Sequence, residues 1–383
     1  MKTLDFKTRT LFEDRHSPYQ KDRWVGGLDI GYSGIKGFAP NKVFCFPSYA
    51  TRIPNNQVVL REPYSTDIRF RDESGTWAVG ELAYENVKSS EVMDSEAELY
   101  GRHRYYSPMF SVISKVGMAL EFTTNQFGSP KDKELIIQTG LPPRYLKSDT
   151  EDLKSVLAGH HNFELKIGSG DWQTFDFEVK ENNIFVMPQP MGALVSASVG
   201  NNGHAIAESQ KYFSSSVIVF DPGFGTFDDY YVQNGSVIGN GETFPGLGMR
   251  EVFERTCKDI HDVHGIEVSV AELHKKLDAG EIKVVNKKKL SSKKYQFGTF
   301  LENNCQQVCY EAIEKMKSIH NYFQDIDYII AAGGTYDAWA DIMSDTFKDM
   351  EDLVIIPANI NDPTLSNIFS NVRGYYFYRL NRR

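Results

Sequence analysis

Two aspartates stand at the ends of apolar runs, each followed by a glycine-rich turn: Asp29 in LDIGYSGIK and Asp221 in FDPGFGTFD. The segments align residue by residue, with Asp29 on Asp221, Gly31 on Gly223, Tyr32 on Phe224 and Gly34 on Thr226. Aspartate and glycine are common at turns for local reasons, so one such turn says little. Two of them, in opposite halves of the chain, indicate two related lobes facing each other. Backbone N–H groups in such turns can approach an anion closely, because glycine carries no Cβ. Two opposed turns can hold a polyphosphate between them. Lys36 lies just past the first turn and can give a point charge to a phosphate oxygen, although alone it reads as a surface lysine. Asp29 and Asp221 end their strands and face the gap; either alone would be an ordinary turn cap. Together they suit Mg²⁺, which keeps most of its waters and binds through one or two acids plus substrate phosphates. The chemistry implied is phosphoryl transfer, in which a metal offsets developing charge.

These turns need strands to aim them. WVGGLDI, the turn GYSG and IKGFA read as a hairpin, and KVFCFPSYA as a third strand. HRYYSPMFSVISKVGMALEFTTNQF has apolar residues at helical spacing. ELIIQTGLP is a buried strand stopped by Pro142 and Pro143. FELKIGSGDWQTFDFEVKENNIFVMPQP suggests short strands, and MGALVSASVGNNGHAIAESQKYF a helix interrupted by glycine. SSVIVFDPGFGTFDDYYVQNGSVIG repeats the opening strand–turn–strand pattern. Two amphipathic helices follow, then YIIAAGGTYDAW, a strand ending in Gly333-Gly334 and a helix start. A double glycine there lets a flat ring lie on the backbone, or merely allows close packing. LVIIPA is a last strand and PTLSNIFSNVRGYYFYRLNRR a last helix.

A chain of 383 residues exceeds one ordinary domain and sets an expectation of two. With 41% hydrophobic and 24% charged residues it has the balance of a soluble globular protein. No apolar run approaches the ~20 residues that span a bilayer. The polar N-terminal 23 residues lack a signal peptide's apolar core and read as a surface extension ahead of the fold, which leaves the cytoplasm as the default location. The net charge of −9 opposes general affinity for nucleic acid. One basic stretch, KVVNKKKLSSKK at 283–294, reads as a solvated loop or helix end, or as a contact for an acidic neighbour. Of Cys45, Cys257, Cys305 and Cys309, the last two lie four apart on one helix face. A metal or redox pair is one reading, but no second pair or nearby His supplies further ligands, so they read as two buried or half-buried thiols.

The order of these elements resembles the actin, sugar-kinase and heat-shock-chaperone ATPases over most of residues 24–376. LIIQTGLPPRYL, VMPQPMGAL, FPGLGMREVF and DPTLSNIFSNVRGY are most similar to the filament-forming plasmid-segregation actins of the ParM type. The resemblance implies an α/β, actin-like (ribonuclease H-like) fold of two domains with a nucleotide cleft between the lobes. Domain I would span 24–190, with a small variable subdomain at 51–112 and a C-terminal completion at 358–383; domain II would span 191–357. It assigns Asp29, Gly31, Tyr32, Ser33, Gly34 and Lys36 to the first phosphate loop. Asp221, Gly223, Phe224, Gly225 and Thr226 fall to the second, with Asp29 and Asp221 holding Mg²⁺ through water. Asp228 closes that loop in a structural role. Gln189 takes the position that orients the attacking water. Gly246 and Gly248 would lie near the nucleoside, and Gly333 and Gly334 match the adenosine loop. Pro222, after the second aspartate, and the long N-terminal extension depart from the pattern.

The function implied is an ATPase that polymerises head to tail, its hydrolysis controlling filament turnover during plasmid segregation. The cofactors are ATP, with GTP as the alternative, and Mg²⁺. The partners are further copies of the chain and a basic, ParR-like DNA-binding adaptor, with no direct nucleic-acid or membrane contact. A sugar or small-metabolite kinase would need an acceptor-site aspartate that no motif marks. A chaperone-type ATPase would carry a peptide-binding domain, and a cell-shape or cell-division actin a membrane helix; YYFYRLNRR is short for one and its tyrosines suit packing on the first lobe.

Overall fold

The computed structural model describes residues 3–54, 60–86, 101, 103–286 and 289–382. The chain lays down β1 (Leu11–Asp14), β2 (Arg23–Ile30), β3 (Gly34–Phe38) and β4 (Lys42–Pro47). It continues through β5 (Ala50–Ile53), β6 (Ile68–Asp72), β7 (Gly75–Val79), β8 (Glu134–Leu141), β9 (Gly159–Ile167), β10 (Gln173–Val179) and β11 (Ile184–Pro188). One sheet runs in the order β1-β4-β3-β2-β8-β11, and a second, smaller one in the order β10-β9-β6-β7-β5. The smaller sheet therefore draws on residues 159–179 as well as on the region 51–112.

The second half contributes β12 (Ser216–Pro222), β13 (Thr226–Gln233), β14 (Ser236–Val237), β15 (Glu242–Pro245), β16 (Glu281–Asn286), β17 (Ser291–Gln296), β18 (Tyr328–Ala331) and β19 (Val354–Pro357). Its sheet runs β14-β13-β12-β18-β19, with β15 beside β13. In each lobe an antiparallel hairpin is followed by two parallel strands: β3-β2-β8-β11 in one and β13-β12-β18-β19 in the other. The internal repeat of the aspartate–glycine turns is thus a repeat of architecture.

The strands that carry the turns are buried nearly end to end, as their unbroken apolar runs require. Helix Pro108–Glu121 covers one face of the first sheet; Ser107 caps it by accepting from the Phe110 N–H, and Pro108 fits its first turn. The helix therefore starts at Pro108, and His103–Tyr106 precede it as a separate short turn. The other face of the same sheet is covered by the last helix, Ser370–Leu380, through Val372, Tyr376 and Phe377 beside Val25, Phe38 and Val43. That helix crosses Gln189–Ser198 so closely that a Cβ on Gly374 would lie 1.8 Å from the Gly192 carbonyl oxygen, so only glycine fits. Arg373, fully buried, ties the crossing by donating to the carbonyls of Ser196 and Val199, both at 2.8 Å.

Three expectations change. The first 23 residues are no free extension: β1 pairs with β4 at the sheet edge, and Phe6 is buried in the core of the other lobe. Thr3 donates to the Leu277 carbonyl at 2.7 Å, Lys7 pairs with Asp278, and Arg15 pairs with Asp362 at 2.6 Å. The strap carries little periodic apolar pattern because edge pairing uses backbone groups and Phe6 inserts alone. The basic stretch 283–294 forms the β16–β17 hairpin rather than a loop or helix end, with residues 287–288 outside the described ones. The glycine-interrupted helix is the helix Gln189–Ser198, then a turn and a short helix, Gln210–Phe213.

Candidate functional site

The hairpin register decides which side chains meet. In the first hairpin Asp29 stands opposite Lys36; in the second, Asp221 stands opposite Asp228. Lys36 Nζ donates to Asp29 Oδ2 at 3.3 Å. Gln189 Nε2 donates to Asp29 Oδ1 at 3.0 Å. Gln189 reaches that position as the first residue of its helix, directly after β11 ends at Pro188. Asp221 Oδ2 accepts from Asn371 Nδ2 at 2.8 Å.

The two turns face one cavity of about 430 Å³, within the size range of small-ligand sites. Asp29, Gly31, Tyr32, Ser33 and Lys36 line it from the first lobe, and Asp221, Gly223, Phe224, Gly225, Thr226 and Asp228 from the second. Gln189 joins them from the junction, and Gly333 and Gly334 from the start of helix Gly333–Phe347. The turns also touch, since a Cβ on Gly225 would lie 2.8 Å from the Tyr32 ring.

Three of the glycines named from sequence stand outside this lining. Gly34 faces the N-terminal strap, where a Cβ would lie 3.0 Å from the Thr8 methyl. A Cβ on Gly248 would sit 2.6 Å from the Phe224 carbonyl oxygen, behind the second turn. There the N–H groups of Met249 and Arg250 donate to the carbonyls of Gly223 and Phe224 at 3.2 and 2.8 Å. Gly246, at φ +79°, turns the chain toward that helix. These two glycines thus buttress the loop.

The electrostatics of the turns differ. Burial alone would depress the Lys36 ammonium, but Asp29, Cys45 and Asp221 outweigh it and hold the proton more tightly than usual. Asp221 is pushed up to about 6, chiefly by burial and further by Asp29, while Asn371 and Lys36 pull the other way. Burial, then the Asp221 charge, raises Asp228 well above its ordinary value.

Sequence reasoning missed several groups here. Thr335 donates to the Gly223 carbonyl at 3.1 Å and steadies the second turn. Tyr375, whose hydroxyl proton burial and three aspartates hold tightly, comes from the final helix four residues after Asn371. The Tyr375 hydroxyl, Asp228 Oδ1 and Asn371 Oδ1 are buried without hydrogen-bond partners among the described residues. Oxygen atoms left open around carboxylates fit a hydrated hard cation. Among the described residues no three His, Cys, Asp or Glu side chains are arranged to hold a metal unaided, so any ion here would also need phosphate oxygens and water. Asp5, Lys7 and Arg9 of the strap line the cavity as well; nothing in their spacing could have marked them. Arg104 completes the set, from a region without a motif.

The four thiols are free, with Cys257 half-buried and the other three buried. Among the described residues no helix is long and apolar enough to cross a membrane.

Residues 27–192 match the family model described as the N-terminal domain of actin-like proteins. Among solved structures, the chain resembles a ParM filament protein from Clostridium botulinum at TM-score 0.69 and 18% identity, covering 93% of this chain and 99% of that one. An archaeal actin homologue in complex with ADP matches at TM-score 0.61 and 14% identity, over 94% and 100% of the two chains. ParM from Bacillus thuringiensis with ADP matches at TM-score 0.56 and 15% identity, over 94% and 99%. No curated protein matches the chain in sequence.

Proposed function

From a chain that has the two-lobed actin-like fold, with an actin-like N-terminal domain at residues 27–192, we infer an Mg²⁺-dependent ATPase that polymerises and segregates plasmid DNA. The observation that carries this reading is the convergence of both aspartate–glycine turns on one cavity, with Asp29, Lys36 and Gln189 on one side and Asp221 on the other. The polyphosphate would lie between the turns, on the backbone N–H groups of residues 31–33 and 223–226 and the Lys36 ammonium. The base would lie toward Gly333 and Gly334. Asp221 and Asp29 would hold Mg²⁺ through its waters; bound there, the ion would offset charge on the transferring phosphoryl group.

Gln189 acts by position. Its amide N–H is tied to Asp29 at 3.0 Å, which leaves the amide oxygen to accept from an attacking water. A neutral amide is a weak base, so hydrolysis by the monomer should be slow. Head-to-tail contact between copies would close the lobes and speed it, and the nucleotide state would then time filament turnover. The resemblance to ParM filament proteins supports self-association, and the acidic net charge of −9 supports reaching DNA through a basic adaptor. A cytoplasmic site of action goes with that role.

The test is electron microscopy of the purified chain with Mg-ATP, with Mg-GTP and without nucleotide, alongside phosphate release. Filaments that form only with a nucleoside triphosphate are expected, and the two nucleotides rank the base preference. Persistent monomers that turn over ATP only when a sugar is added would replace this reading with a kinase.

A further inference from the structure

Arg104 belongs to the short turn Arg104–Tyr106, just ahead of the Pro108–Glu121 helix. Its side chain lines the same cavity as the two turns and is only 6% exposed. One prong of its guanidinium, Nη2, donates to the Ile30 carbonyl at 2.9 Å, immediately before the first turn. The guanidinium carbon lies 4.4 Å from the centre of the Tyr32 ring, 5.0 Å from Phe110 and 5.3 Å from Tyr105. The other prong, Nη1, is buried and has no hydrogen-bond partner among the described residues. Among the described residues the contacts of this buried cation are a carbonyl and three ring faces, none of them anionic. An arginine is always charged, and a buried charge without a counter-ion is costly. Such a prong marks a place where a negative group is received.

The position along the cavity says which group. Gly333 and Gly334 mark the opposite, second-lobe side, where the base would lie. Arg104 stands behind Tyr32, and Tyr32 meets Gly225 where the two turns touch. A polyphosphate running from the second lobe toward the first would bring its far end toward Arg104, which lines the same cavity. We propose that Arg104 Nη1 binds the terminal phosphate of the bound nucleoside triphosphate and stabilises its charge during hydrolysis. The assignment rests on the nucleotide reading above and deepens it. The fork is needed because its two prongs do two jobs: one fixes the guanidinium to the first turn and the other meets the phosphate. Because the same side chain supports Tyr32, loss of the terminal phosphate would loosen the contact between the two lobes.

The test compares wild type, Arg104→Met and Arg104→Lys for binding of ADP and of the non-hydrolysable β,γ-imido analogue of ATP, and for phosphate release from ATP. Thermal midpoints without nucleotide report whether each variant folds. Arg104→Met should keep the affinity for ADP, lose the preference for the triphosphate and release phosphate roughly 10²-fold more slowly, as for removal of one charge-stabilising donor. Arg104→Lys, with a single ammonium, should lose most of that preference too, and it decides the matter if the methionine variant does not fold. Equal losses for ADP and the triphosphate would reduce Arg104 to a support for the first turn and overturn the proposal, as would wild-type behaviour in both variants. A wild-type chain that binds neither nucleotide overturns the nucleotide reading and this assignment with it, an outcome distinct from failure of Arg104 alone.

Discussion

The two turns share a sequence pattern and a backbone, yet they differ in how their aspartates are balanced. In the first lobe Asp29 faces a lysine across the hairpin and also accepts from Gln189, so its charge is met within the protein. In the second lobe the same cross-strand position holds Asp228, and Asp221 faces another acid. Asn371 is the neutral donor that Asp221 has instead of a cation. Burial is the main reason that Asp221 is pushed up to about 6, with Asp29 adding to it, and burial followed by the Asp221 charge raises Asp228. One turn is thus complete as it stands, whereas the other stores a negative charge that a cation would relieve. The same motif carries two charge arrangements: a neutralised acid in one lobe and a poorly balanced acidic pair in the other.

Three experiments bear on this contrast. The largest effect is expected from Asp221→Ala, which should lower phosphate release by roughly 10–100-fold, the usual cost of disturbing a metal's supporting shell. It should not lower the thermal midpoint of the nucleotide-free chain, since it removes a buried, poorly balanced charge. Wild-type turnover in that variant would end the metal assignment. Lys36→Met should do the reverse in stability: it leaves Asp29 without its counter-ion and should cost about 3 kcal/mol, measured by denaturant unfolding. That is the low end for breaking a buried pair, because the Lys36 side chain keeps 22% of its surface exposed. If Asp221→Ala destabilises as much as Lys36→Met, the two turns are not balanced differently.

The smallest effect is the dependence on pH. Asp221 is raised from an ordinary 3.8 to about 6, so the folded chain holds a proton that the unfolded chain releases. Its contribution to stability is full below pH 3.8 and is lost as pH rises through about 6, at no more than about 1.4 kcal/mol per pH unit. Binding of Mg²⁺ needs the carboxylate, so Mg-nucleotide affinity should rise over the same interval and level off above it. Asp221→Asn should flatten both curves. Unfolding curves and nucleotide titrations between pH 4.5 and 7.5, values of about the width a single group needs, provide the measurement; an affinity that is flat in wild type would exclude Asp221 as the titrating group.

The sequence by itself determined the two hairpins, their aspartates and the double glycine, because these depend on local rules. A strand ends where its apolar run ends, and a tight turn takes glycine whatever surrounds it. Lys36 was legible from its place just past the first turn, whereas Gln189 was assigned only through the resemblance to actin-like ATPases; both line the cavity. Only the tertiary structure decided how the charges are shared. Asn371, Tyr375, Thr335 and Arg104 reach the site from remote parts of the chain, and none carries a spacing that announces it. The N-terminal strap was unreadable for a related reason. Backbone pairing at a sheet edge and one inserted phenylalanine leave no period in the sequence, although they bind the first residues to both lobes. Local pattern fixes which groups exist; long-range packing fixes which of them meet, and so which charge is balanced and which is left for a ligand.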